Sequence, residues 1–236
     1  MGSVGAAPEV GEIAARTRDF IRNVCLPAEE RFSGHDLDAG LRAELQAAAR
    51  DAGVFAPHVP AEFGGLGLDI SGWSVVFEEA GYSLLGPQAL NCAAPDEGNM
   101  HLLKVVATEE QKERYLRPLA SGEVRSCFAM TEPHPGAGSD PAALATRARR
   151  VDGGWEIDGD KRFISGAEGA AFSICMARAD EGATMFLIDA ENPGWSVGRR
   201  MVTTDTVFAG GHSEVALRDC RVGPEDVLGE VGQGFR

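Results

Sequence analysis

The sequence predicts an α+β protein of two domains: an all-α helical domain over residues 1–125, then a β barrel or sandwich over 126–236. Three observations point there. Apolar residues recur at helical spacing as far as about Gly122. After Glu123 the side chains alternate between apolar and polar, and the turns between runs carry Gly or Pro. Hydrophobic residues make up 44% of the 236 and charged residues 25%, a balance that supports a sizeable core and argues against wholesale disorder.

The helical elements follow in order. Residues 9–31 carry Val10, Ile13, Ala14, Phe20, Ile21 and Val24 at roughly helical spacing, and 37–52 are rich in Ala, Leu, Arg and Glu, which favour helix. Gly53-Val-Phe-Ala-Pro-His-Val-Pro60 breaks that run, and 62–68, with three glycines, reads as a loop. Helix resumes over 71–84, with Trp73, Val76, Phe77 and Ala80 on one face, and a short helix is expected over 99–106. Thr108-Glu-Glu-Gln111 matches a capping box, a threonine hydroxyl with a glutamine three residues on, opening a helix that ends near Ser121-Gly122.

The strands follow. Residues 145–151 alternate, meet the turn Asp152-Gly-Gly154, and continue through 155–158, a hairpin signal. Further strands are expected over 161–165, 171–179, 184–190, 195–202 and 213–222, with Trp155 and Trp195 as packing residues.

Charge and composition narrow the function. A net charge of −14 repels nucleic-acid phosphates and anionic lipid, so neither is an expected partner. Five widely spaced cysteines suggest reduced thiols rather than a disulfide framework, and five isolated histidines (35, 58, 101, 134, 212) predict no metal site. No apolar run reaches membrane-spanning length, and the amino-terminal residues lack a signal-like pattern, so a cytoplasmic location is expected.

The chemistry concentrates in Cys127-Phe-Ala-Met-Thr-Glu-Pro-His-Pro-Gly-Ala-Gly-Ser-Asp140. An apolar strand delivers a hydroxyl and a carboxylate at Thr131 and Glu132. Gly136-Ala-Gly138 then lets backbone amides approach an anion closely. Glu132 is expected to accept backbone hydrogen bonds at the turn, and His134 to be a loop residue. Arg147, Arg149 and Arg150 read as a solvated strand face. A second strand, Lys161-Arg-Phe-Ile-Ser-Gly-Ala167, also ends in a hydroxyl. The Gly-Ala-Gly turn does not sit between a parallel strand and a helix, so a Rossmann unit is not indicated.

Taken together, these two segments resemble the flavin-binding signature of the acyl-CoA dehydrogenase family, and the resemblance spans essentially the whole chain. Pro60-Ala-Glu-Phe-Gly-Gly-Leu-Gly-Leu68, Glu109-Glu-Gln-Lys-Glu-Arg-Tyr-Leu-Arg-Pro-Leu119 and Val227-Leu-Gly-Glu-Val-Gly-Gln-Gly-Phe235 resemble other family passages. Asn91-Cys-Ala-Ala-Pro-Asp-Glu-Gly-Asn-Met100 and Gly210-Gly-His-Ser-Glu-Val215 resemble the subgroup that includes kinase-domain-fused members.

The resemblance implies FAD as cofactor and oxidation of an acyl-CoA thioester at Cα–Cβ to the trans-2-enoyl-CoA. It places Phe128 beside flavin and acyl group, and the Ala129, Met130 and Thr131 segment at the pyrimidine edge of the isoalloxazine. Gly138 and Ser139 fall at the pyrophosphate or pantetheine, Ser139 also touching substrate. Phe163 packs against the flavin where tryptophan is common, and Ile164 and Ser165 lie near N5. His134-Pro135 lengthens the family's shortest spacing before the glycine turn.

The family's catalytic glutamate lies in a third, helical-bundle domain, so no residue here is expected to be the base. The implied partners are electron-transfer flavoprotein as electron acceptor and a homo- or hetero-oligomer supplying the bundle. Two other readings stay open: an acyl-CoA oxidase or flavin monooxygenase on the same scaffold, and a non-catalytic partner subunit of a heteromeric acyl-CoA dehydrogenase.

Overall fold

The computed structural model describes residues 9–32, 37–204 and 209–235, so His35 lies outside the described residues. The chain forms two compact units, Met1–Glu97 and Gly98–Arg236.

In the first unit the helix expected over 9–31 forms, but in three pieces: α1 (Val10–Phe20), a π-helical turn (Ile21–Cys25) and α2 (Leu26–Arg31). Proline explains the interruption. Pro27 has no N–H for the carbonyl four residues back, and its ring would clash with that carbonyl. In the wider turn the Leu26 N–H donates to Ile21 instead, five residues back. Helix α3 (Ala39–Asp51) begins where the Asp38 carboxylate accepts the Leu41 N–H at 2.9 Å, and α4 (Ile70–Ala80) where Asp69 accepts that of Gly72 at 2.8 Å. Between them, Gly65 is packed so closely that a Cβ would lie 2.1 Å from the Val59 carbonyl, so only glycine closes this loop. A short helix, α5 (Gly86–Ala89), follows, and Ile13, Ile21, Leu45, Val76 and Leu85 are fully buried.

Leading into the second unit is α6 (Asp96–Val106), followed by α7 (Glu109–Gln111), a second π-helical turn (Lys112–Leu116) and α8 (Arg117–Ala120). The capping box forms as read: Thr108 Oγ1 accepts the Gln111 N–H at 3.2 Å and Gln111 Oε1 accepts the Thr108 N–H at 3.0 Å. Here too the π turn precedes a proline, Pro118, with the Arg117 N–H donating to Lys112. These helices are held to the strands by Asn99 Nδ2 donating to Ser126 Oγ at 2.9 Å, both residues buried, and by Gln111 Nε2 donating to the Glu225 and Val227 carbonyls.

The strands are β1 (Ser126–Ala129), β2 (Arg147–Val151), β3 (Gly154–Ser165), β4 (Phe172–Ala179), β5 (Gly182–Asp189), β6 (Trp195–Arg200), β7 (His212–Val222) and β8 (Val227–Leu228). The expected barrel or sandwich is one mixed sheet in the order β6-β7-β3-β2-β4-β5-β8, with β1 paired in parallel to β4. The two strands expected over 155–158 and 161–165 are one continuous strand. Gly159 makes this possible, because a Cβ there would sit 2.3 Å from Thr146 Oγ1. Cys127, Ile157, Cys175, Phe186, Leu217 and Cys220 are fully buried, and Trp155 packs edge-on to Phe186 at 5.4 Å. All five cysteines are buried and free, and burial pushes the thiols of Cys25 and Cys220 up to about 12 and that of Cys175 to about 11. Among the described residues no helix is long and apolar enough to cross a membrane.

Candidate functional site

Strand β1 turns Cys127 and Ala129 into the core and leaves Phe128 half-buried on its other face. Its exit is fastened from below by Lys161. That side chain is fully buried, and its ammonium donates to the Met130 carbonyl at 3.1 Å, to Glu132 Oε1 at 2.9 Å and to the Met176 carbonyl at 2.7 Å. An ammonium has three N–H groups, and all three are used.

Glu132 also accepts the backbone N–H of Ala137 (3.0 Å), Ala145 (2.7 Å) and Thr146 (2.9 Å). Burial pushes its carboxyl up, but the bonds from Thr146, Ala137 and Ala145, with the Lys161 ammonium, outweigh burial and hold it at about 2.

As expected, Glu132 accepts backbone hydrogen bonds at the glycine turn. The anion approached by its amides is the protein's own: Ala137 donates to Glu132, and the Gly136 N–H goes to the Pro133 carbonyl at 2.7 Å. A Cβ on Gly136 would meet Glu132 Oε2 at 2.7 Å, so the glycine is required by the carboxylate. The next two amides, those of Gly138 (φ 56°) and the exposed Ser139, have no partner among the described residues.

Besides the Lys161 bonds to Met130 and Glu132, the two sequence segments are joined by the Arg162 N–H donating to the Thr131 carbonyl at 2.8 Å. Beyond it, Phe163 has φ 58° and is 52% exposed, its ring 5.0 Å from the Arg162 guanidinium. Ile164 is buried, so it offers a ligand only main chain. Ser165 is half-buried, and its Oγ is 2.8 Å from His212 Nδ1. His134 is exposed. Arg149 is bound to Glu156 and Asp158, and Arg150 to Glu181, while Arg150 also lies over the Trp155 ring; these are the interactions of a solvated strand face.

Sequence reasoning missed several contributors. Leu102 and Val106 of α6, Met176 of β4 and Met185 of β5 join Phe128 and Met130 around an apolar cleft of about 790 Å³, bordered by residues 229–230 and 233–235. Met176 and Met185 are register partners across the hairpin of β4 and β5. Lys161 and His212 were also unread as parts of the site.

A helical segment followed by this mixed sheet defines the acyl-CoA dehydrogenase-like fold. The profile of the acyl-CoA dehydrogenase N-terminal domain matches residues 7–123 and that of the middle domain residues 127–220. The chain is 33% identical to mouse "Acyl-CoA dehydrogenase family member 10" over 98% of its own length and 23% of that protein's. It is 32% identical to "Probable acyl-CoA dehydrogenase FadE2" of Mycobacterium tuberculosis over 93% of its length and 57% of the relative's. A solved structure of a putative acyl-CoA dehydrogenase from Mycobacterium abscessus superposes with a TM-score of 0.84 at 30% identity, covering 97% of this chain and 62% of that one.

The chain belongs to the acyl-CoA dehydrogenase family, and the subgroup with kinase-fused members is represented among its relatives. It spans 57% or less of the length of these two curated relatives. Members of the family are FAD-dependent.

Proposed function

We propose that this chain is the cofactor-binding part of an FAD-dependent acyl-CoA dehydrogenase that converts an acyl-CoA thioester to its trans-2-enoyl-CoA. The observation that carries the reading is Phe163. A non-glycine residue in the left-handed region costs of order 1–3 kcal/mol, and an aromatic ring left half in water gives little back. A planar ligand stacked on that ring makes sense of both features.

The rest of the face suits FAD. The Thr131 hydroxyl and the Ala129 and Met130 main chain would hold the pyrimidine edge, Ser165 and the Ile164 main chain the N5 side, and the unpartnered Gly138 and Ser139 amides a phosphate or pantetheine oxygen. Bound flavin supplies the acceptor for the hydride from Cβ. The chain's own part is to orient the ring and to stabilise the charge that develops on it through donors fixed in advance.

The apolar cleft beside Phe128 suits an acyl chain, and its two methionines adapt to different chain shapes. None of these residues is assigned as the proton-abstracting base. Electron-transfer flavoprotein is the proposed acceptor, and an oligomer the proposed assembly.

The test is anaerobic addition of straight-chain, branched and aryl acyl-CoAs to the complete gene product. Bleaching of the flavin absorbance by at least one of them is expected. A flavin-loaded protein that no acyl-CoA bleaches would overturn the dehydrogenase assignment.

A further inference from the structure

Consecutive residues of a regular strand point to opposite faces of the sheet, yet the Arg162 guanidinium lies over the Phe163 ring, 5.0 Å from its centroid. The register explains the contact. Lys161 pairs with Val215 and Ile164 with Ser213, so β3 takes three steps where β7 takes two. Arg162 and Phe163 therefore stand together opposite the single residue Glu214, and the φ of 58° at Phe163 breaks the alternation. The charge of Arg162 is loosely held. Its ion pair with Glu214 is long, 3.8 Å from Nε to Oε1, and the shielded Nε–H has no hydrogen-bond acceptor among the described residues. Glu214 is engaged instead by Arg199, whose Nη2 donates to Oε1 at 3.0 Å. Two guanidinium groups thus share one carboxylate, and the three side chains carry one net positive charge. The Phe163 ring, 52% exposed, keeps open surface for a planar ligand away from the cation.

We propose that Arg162 is a positioning residue that acts through Phe163 to favour the reduced state of the bound flavin. The proposal rests on the reading that Phe163 stacks on the isoalloxazine. A cation over one face of an aromatic ring draws the π electrons toward it and leaves the opposite face less electron-rich.

Oxidised isoalloxazine is electron-poor and gains most from an electron-rich neighbour. The reduced ring holds two more electrons, so it gains most from the depleted face and from the positive charge beyond it. Both effects have the same sign, and both raise the potential of the bound cofactor. The loose pairing matters, because a guanidinium closely neutralised by its own carboxylate would polarise the ring far less.

The test uses the complete gene product carrying FAD, with Arg162→Met, Arg162→Lys and Glu214→Gln variants, and with Arg162→Met repeated in a Phe163→Gly background. FAD affinity is read by fluorescence titration and the two-electron midpoint potential by dye equilibration. Arg162→Met removes the charge and keeps an unbranched side chain. It should weaken the reduced form relative to the oxidised about tenfold, lowering the potential by about 30 mV. Arg162→Lys retains the charge and should fall clearly less. Glu214→Gln removes the competing carboxylate and should move the potential upward. Without the Phe163 ring, Arg162→Met should add little. An unchanged potential in Arg162→Met, an equal fall in Arg162→Lys, a fall in Glu214→Gln, or an undiminished shift in the Phe163→Gly background overturns this role while the flavin reading stands. Wild-type protein that takes up no FAD overturns the flavin reading, and this role with it.

Discussion

Strand β3 handles its polar and aromatic side chains in opposite ways within three residues. At Lys161 an ammonium is fully buried and every N–H has an acceptor inside the protein. At Phe163 an aromatic ring stands half in solvent on a backbone in the left-handed region. The first site is closed within the protein, and the second stands open to solvent. A single sequence signature thus separates into residues that build the strand exits, namely Glu132, Gly136 and Lys161, and residues left available on them, namely Thr131, Ser139, Phe163 and Ser165.

The sharpest way to break this contrast is Lys161→Met, which leaves the Glu132 carboxylate buried without its counter-charge. A loss of about 3–5 kcal/mol is expected in urea unfolding at neutral pH. A loss under about 1 kcal/mol would mean the pair is not the fastening it looks like.

Acid gives the next largest effect. The folded-state value of Glu132, about 2, lies below its ordinary 4.5. Its contribution is therefore complete above about pH 4.5 and is lost as pH falls through 2. It amounts to about 3 kcal/mol, because each tenfold gain in acidity on folding is worth about 1.4 kcal/mol. Stability measured across that window should show this slope in wild type and a shallower one in Lys161→Met.

Gly136→Ala should cost about 1–3 kcal/mol, because the new methyl meets the Glu132 carboxylate and the Pro133 carbonyl. Thermal unfolding of that variant checks it. The smallest change in stability belongs to Phe163→Gly, which relieves the left-handed backbone and removes little buried surface. The isolated fold should be unchanged or more stable by about 1 kcal/mol.

Much of this architecture was legible from local rules. The capping box at Thr108, the turn at Asp152-Gly153-Gly154 and most helix and strand limits follow from spacing within a few residues. What escaped depends on partners distant in sequence. Lys161 reads as the polar start of a strand because Glu132 is 29 residues away, and His212 reads as isolated because Ser165 is 47 away. Chain periodicity also hid the two π turns, although Pro27 and Pro118, inside otherwise helical patterns, carried the signal. At the glycine turn, the pattern correctly implied amides close to an anion and left open which anion. The nearest was the carboxylate four residues before Gly136.

The most direct measurement is a parallel FAD titration and urea unfolding of the complete gene product and its Phe163→Gly variant. Wild type should bind FAD one to one, and the variant should bind at least about tenfold more weakly, a loss of about 1.4 kcal/mol, with undiminished stability before cofactor is added. Equal FAD affinity in the two proteins would contradict the assignment of this face to the flavin.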